Sequence, residues 1–229
     1  MARMGVKIRL TNDTALRGIQ ASDLPALLIK AEEIDLSGLY LRELPAWLLK
    51  FKQLRYLSIA NNKLTLDKLG VLRMLVNLEK LDLSHNPIFA HHIGIHSLLS
   101  PLNQLRVLNL NATGLDNSDL AEGFNYLVNI TNLKIDNNSI DIIDLSQMPE
   151  ALQLLSAKDN KLKEIKFKDL PILSALKVNG NSSLVLPEEF GHTFTLPNLK
   201  LLDIDSSVIL PEGLKFKLDS WKKVKGVQL

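Results

Sequence analysis

The sequence predicts an α/β fold of stacked short repeats, and three observations carry that expectation. A pattern L-x-x-L-x-L-x-x-N-x-L returns at spacings of 21 to 27 residues. Within each copy apolar residues alternate with polar ones, which is the period of a half-buried strand. The composition is 46% hydrophobic but only 5% aromatic. The core of the 229-residue chain is therefore built from many similar aliphatic side chains, which suits a single stack of repeats better than a sandwich or a barrel.

The clearest copies are residues 54–64, LRYLSIANNKL, and 78–88, LEKLDLSHNPI. Taking the first apolar position of each copy places starts at Ala31, Leu54, Leu78, Leu105, Ile130, Leu152, Leu173 and Leu199. Successive starts are 23, 24, 27, 25, 22, 21 and 26 residues apart. Weaker copies fit at the two ends, around Ile8 and Leu10 and around Val224, Val227 and Leu229.

In these residues the chain resembles the leucine-rich repeat family, over about residues 31–209 and nearly throughout if the end copies count. The resemblance implies a right-handed solenoid, or horseshoe. Its concave parallel sheet would have about 8–10 strands, with short helices, 3-10 turns or extended segments on the convex side. The expected organisation is an amino-terminal cap at 1–30, repeats at 31–209, and a carboxy-terminal cap at 210–229 that holds the final weak strand.

Alternation sends Leu57 and Ile59, Leu81 and Leu83, Leu108 and Leu110, and Leu133 and Ile135 to the core, and the residues between them to the open face. After the strand the chain bends sharply and leaves backbone groups pointing inward. A buried amide can both donate to and accept from them. Asn62, Asn86, Asn138, Asn160 and Asn181 stand there and are read as a structural ladder, with Thr113 and Ser207 as partial substitutes and Leu39 as none.

Between strands, 41–50 (LRELPAWLLK) and 66–75 (LDKLGVLRML) have apolar residues at near-helical spacing and predict short helices. The repeats of 21 and 22 residues leave too little chain for a helix and are expected to run extended or 3-10. At the front, 22–30 (SDLPALLIK) predicts a helical turn of the cap, with too few residues before the repeats for the F-box module it faintly resembles.

With 27 basic and 25 acidic residues the net charge is +2, which makes no electrostatic case for nucleic acid as an obligatory partner. The lysine cluster at 221–225 (WKKVK) reads as a polar end cap. The absence of cysteine removes disulfides, thiolate metal sites and cysteine nucleophiles. No apolar run resembles a signal peptide or spans a bilayer. The expected setting is a cytoplasm, either the producing cell's own or a host's, reached without a cleaved leader.

The His-bearing stretch 89–96 (FAHHIGIH) falls in the long convex connection of 87–104. Its spacings do not bring His91, His92 and His96 to one helical face, so no metal site is expected. No phosphate loop, H-E-x-x-H or G-x-S-x-G occurs, and no catalytic residue or cofactor is assigned. The segments 186–190 (LPEEF) and 210–214 (LPEGL) resemble those in the repeat domains of bacterial ubiquitin-ligase effectors. Such ligases use a cysteine in a separate domain, and this chain has none. The resemblance to effectors of intracellular bacterial pathogens therefore implies recognition alone. An ordinary cytosolic adaptor fits the same features.

The function this predicts is binding of a protein partner on the concave face, by a chain read as a monomer; the alternative is a scaffold or a regulatory fragment of a larger assembly. The middle column of the face reads Asp35, Ser58, Asp82, Asn109, Lys134, Ser156, Lys177 and Asp203. Eight strands about 4.8 Å apart offer a surface on the order of 35 Å long. Arg55, Lys80, Asp136 and Lys158 flank the column. Tyr56, Arg55, His85 and Arg106 are the expected hot spot, because Tyr and Arg are over-represented where binding energy concentrates.

Overall fold

Each repeat contributes a strand of three residues, which in every copy from Ala31 onward occupies the third to fifth positions, and two repeats add a second strand further along. The middle residue of each is a Leu or Ile facing the core. The computed structural model describes residues 7–9, 28–90, 94–120, 123–187 and 197–211. The chain divides into two compact units, Met1–Gly114 and Leu115–Leu229.

In the first unit β1 (Lys7–Arg9), β2 (Glu33–Asp35), β3 (Tyr56–Ser58), β4 (Lys80–Asp82) and β5 (Val107–Asn109) lie side by side in chain order, all parallel. Their central residues Ile8, Ile34, Leu57, Leu81 and Leu108 are in register. The last four are at most 1% exposed. The weak copy around Ile8 is thus a true strand.

In the second unit the strands are β6 (Asn132–Lys134), β7 (Ile142–Asp144), β8 (Leu154–Ser156), β9 (Glu164–Lys166), β10 (Ala175–Lys177) and β11 (Leu201–Asp203). β6, β8, β10 and β11 continue the one-strand-per-repeat pattern, parallel and in register. β7 and β9 pair with each other as a second parallel sheet, and Glu164 bridges on to Val185. This second sheet arises in the repeats of 22 and 21 residues, which run extended after the turn as their shortness requires.

The two segments expected as short helices differ in type. Ala46–Lys50, Leu66–Lys68 and Gly70–Met74 are 3-10 helices. Leu48, Leu72 and Leu75 each donate their N–H to the carbonyl three residues back. Few residues separate the turn from the next strand, so the tighter 3-10 winding reaches the core with less chain, while an α-helix this short gains too few hydrogen bonds to offset its nucleation. Among the described residues the α-helix is a single turn, His96–Leu99, in the longest repeat. Leu28–Lys30 is a 3-10 turn. The rest of the expected front cap, His91 and His92, the expected strand around Val224 and the lysine cluster at 221–225 lie outside the described residues.

The asparagine ladder is hydrogen bonded as its position requires. Asn86 accepts from Leu64 N–H and donates to the carbonyls of Ile59, Leu83 and Ser84. Asn181 accepts from the N–H groups of Asn160 and Leu162 and donates to Ala157 and Val178. Asn138 and Asn160 accept from Leu115 and Ile140. The Thr113 hydroxyl donates to the Leu110 carbonyl at 2.8 Å, so it replaces part of the amide's role.

The last repeat departs from the expected register. Ser207 is exposed, Val208 is 8% exposed and Ile209 is 84% exposed, so the core residue after the turn is Val208. Asp205 meets the backbone groups of the preceding repeat instead: its two carboxylate oxygens accept from Gly180 N–H at 3.0 Å and Asn181 N–H at 2.7 Å. One carboxylate caps two amides there, and Ser207 is too short and too displaced to do so.

The residue before each ladder position adopts a left-handed backbone: Asn61, His85, Ala112, Asn137, Asp159 and Gly180 have φ between 52° and 79°. Asn, Asp, His and Gly accept that conformation at small cost, and Ala does not. Ala112→Gly is expected to raise stability by about 0.5–1 kcal/mol, the left-handed penalty less the added chain entropy of glycine. A urea titration with a higher midpoint and an unchanged slope is the expected result.

Candidate partner-binding face

In the first unit the second and third positions of three consecutive repeats meet on the open face. Glu32, Glu33, Arg55, Tyr56, Glu79 and Lys80 line a shallow hollow of about 520 Å³. Glu33, Tyr56 and Lys80 are direct cross-strand neighbours on β2, β3 and β4. Arg55 bridges the strands beside them. Its Nε donates to Glu79 Oε1 at 2.8 Å, Nη2 lies 2.6 Å from the same oxygen, and Nη1 lies 3.7 Å from Glu32. The hydrogen bond to Glu79 holds the guanidinium above its ordinary pKa. Arg55 is thus a positioned group whose charge is largely answered within the face, and Lys80 is exposed beside it.

The fifth positions also serve the fold. Oδ1 of Asp35 accepts from Ser37 N–H at 3.0 Å, Asp82 from Ser84 N–H at 3.0 Å, and Asn109 from Asn111 N–H at 3.1 Å. These side chains mimic a backbone turn and hold the exit of each strand. Ser58, in the same column, has the parity of an exposed residue but is buried at 4%. It is a short side chain between Asp35 and Asp82 on the adjacent strands, and its hydroxyl is 2.6 Å from that of Ser37. His85 and Arg106 are exposed. Neither lines the hollow with Arg55 and Tyr56, so the four residues expected as one hot spot do not all share it.

In the second unit Lys134 is exposed and Lys158, Lys177 and Asp203 are half-buried. Ser156 and Asp136, both expected on the surface, are 3% and 7% exposed. Ser156 is screened by the longer Lys134 and Lys177 on the strands either side. Its hydroxyl donates to Asp136 Oδ1 at 2.6 Å, and that oxygen also accepts from Lys158 N–H at 2.8 Å. Binary alternation misplaces both residues because it ignores the length of neighbouring side chains.

Two family models, each described as leucine rich repeat, match residues 30–88 and 77–101. Residues 30–101 match as leucine-rich repeats. Solved structures with the same fold include a leucine-rich repeat protein of Leptospira interrogans, 23% identical with a TM-score of 0.64 over 85% of this chain. An internalin of Listeria monocytogenes is 18% identical, with a TM-score of 0.58 over 89% of this chain. The leucine-rich repeat domain of the type III effector XopL is 21% identical, with a TM-score of 0.52 over 76% of this chain. The chain spans 49%, 56% and 60% of those three structures respectively. At these identities the likeness is one of fold. A search of the curated proteins finds no match.

Of the five ladder asparagines, Asn62, Asn86 and Asn181 are buried and Asn138 and Asn160 are half-buried. Among the described residues no group of three His, Asp or Glu side chains is placed to hold a metal ion. His96 is exposed on its helical turn. No helix among the described residues is long and apolar enough to cross a membrane. The hollow around Tyr56 is not legible in the sequence as a unit, because its depth comes from where Arg55 is drawn by Glu79 and Glu32, and those ion pairs span neighbouring repeats.

Proposed function

We propose that this leucine-rich repeat chain is a protein-interaction module that binds a protein partner on the open face of its strands. The observation that supports this is the division of labour within the strands from β2 onward: the central position is a uniform buried Leu or Ile, while its flanks change chemistry from repeat to repeat. The fold fixes the central position and draws on several fifth positions for strand-exit hydrogen bonds, so the exposed flanking residues that remain are available to specify a partner. Tyr56 and Lys80 in the hollow, Arg106 on the next repeat, and Lys134, Lys158 and Lys177 in the second unit are the assigned contacts.

In this reading the chain takes no cofactor, performs no catalysis and works as a monomer, with 1–30 and 210–229 capping the stack. Its setting is a cytoplasm, and delivery into a host as a bacterial effector is supported by analogy with the fold of the XopL repeat domain. Affinity capture from host cytosol tests it. The wild-type chain is expected to retain specific proteins that are lost with Tyr56→Ala/Lys80→Ala/Arg106→Ala or with Lys134→Ala/Lys177→Ala. If every captured protein survives both changes and His96→Ala loses them, the open-face assignment is wrong.

A further inference from the structure

We infer that the open face of β6, β8 and β10 docks an acidic segment of a protein partner, with Lys134, Lys158 and Lys177 as its cationic contacts. This rests on the protein-binding reading above and names the chemistry of one contact. Lys134 and Lys177 are the cross-strand neighbours of Ser156 on either side. Two strand spacings set their backbones about 10 Å apart. Between them the surface falls to Ser156, only 3% exposed, which leaves a low floor flanked by two ammonium groups. Lys158, two residues beyond Ser156 and past the end of β8, closes the third side.

None of the three ammonium groups is in an ion pair among the described residues. The carboxylates nearby do not cancel them. Asp136 is 7% exposed, with Oδ1 committed to the Ser156 hydroxyl and the Lys158 amide, so it holds the floor in place rather than presenting itself outward. Asp203 is the cross-strand neighbour of Lys177 on the side away from Lys134, and Asp159 sits on the exposed turn beyond Lys158. These two acids bound the cationic patch and limit its length to a few residues. Carboxylates spaced along an extended or turn segment match three ammonium groups around a low floor. A continuous polyanion would meet Asp159 and Asp203 at its margins.

The test is fluorescence anisotropy with a labelled Glu-rich peptide of about ten residues, beside a Lys-rich peptide of equal length and an oligothymidylate of similar charge. The Glu-rich peptide is expected to bind at low salt and to weaken as salt rises. K134Q/K158Q/K177Q should weaken it about tenfold with an unchanged circular dichroism spectrum. The control K161Q/K163Q/K166Q, which removes the same charge elsewhere, should leave it unaltered. An equal loss in the control, tighter binding of the oligothymidylate, or no binding of the Glu-rich peptide each overturns the inference. Proteins captured by the wild-type chain and retained by K134Q/K158Q/K177Q also overturn it, while leaving the broader protein-binding reading standing.

Discussion

Replacing Asn62 by alanine is expected to lower stability by about 3–5 kcal/mol, near the top of the range for single substitutions. The side chain is 7% exposed and serves five backbone groups. Its Oδ1 accepts from Leu39 N–H at 3.0 Å and Leu41 N–H at 2.9 Å. Its Nδ2 donates to the carbonyls of Leu36 at 2.9 Å, Ile59 at 2.8 Å and Ala60 at 3.1 Å. Alanine orphans the Leu39 and Leu41 N–H groups and the Leu36 carbonyl in a region closed to water, while the Ile59 carbonyl keeps the Asn86 amide and the Ala60 carbonyl keeps the Gly38 N–H. Each buried orphan costs about 1–3 kcal/mol before relaxation. The damage reaches the preceding repeat, because Leu36, Leu39 and Leu41 belong to the copy that begins at Ala31. Hydrogen exchange should show the Leu39 and Leu41 amides losing protection first, since repeats open locally. Asn62→Asp separates hydrogen bonding from cavity formation. It keeps the volume and both accepted bonds but sets oxygen against three carbonyls, so it should also destabilise strongly. If Asn62→Asp is neutral, the cavity and not the hydrogen bonding explains the loss in the alanine variant.

The positions of the strands are legible in the sequence because alternation and the ladder asparagine mark the same register independently. Leu57, Leu81, Leu108, Leu133 and Leu155 are all buried where that register puts them. What alternation does not carry is depth. Ser58 and Ser156 have the outward-facing parity, yet they sink between longer side chains on adjacent strands. Helix type is also beyond it: an apolar spacing near 3.6 is compatible with a 3-10 turn when only five residues are available, as at Ala46–Lys50. The last repeat shows a third limit. The Ser at the expected ladder position reads as a weak substitute, while Asp205, two residues earlier, takes the backbone groups of the repeat before it. Interactions between repeats select the capping residue, and the pattern within one repeat does not contain them. The same reason keeps the Arg55 bridge to Glu79 and Glu32 out of view, although alternation puts each residue on the open face.

Gly180→Ala carries the second large effect, expected at about 2–4 kcal/mol, and its cause is a close approach as well as a backbone angle. Gly180 has φ of +79°, where any side chain is strained. A Cβ built there would stand 2.8 Å from the backbone nitrogen of Asp159 and would overlap its carboxylate. Neither partner can yield cheaply. The Asp159 N–H donates to the Asn179 carbonyl at 3.0 Å, and the Gly180 N–H is held by Asp205 at 3.0 Å, so moving either turn away breaks a hydrogen bond between repeats. Gly114 is the matched control: its φ is +82°, but a Cβ added to it would meet nothing within 4 Å. Gly114→Ala should therefore cost only the left-handed penalty, about 1–2 kcal/mol. Thermal or urea unfolding of the two variants isolates the steric part as their difference. Pairing Gly180→Ala with Asp159→Gly removes the overlapping carboxylate while keeping a residue that tolerates the left-handed turn at φ of 52°. That pair should recover part of the loss but not all, because the backbone nitrogen of residue 159 remains in place. Equal losses for Gly180→Ala and Gly114→Ala would show that conformation alone decides the residue at this turn, and that the packing between these repeats is looser than the geometry requires.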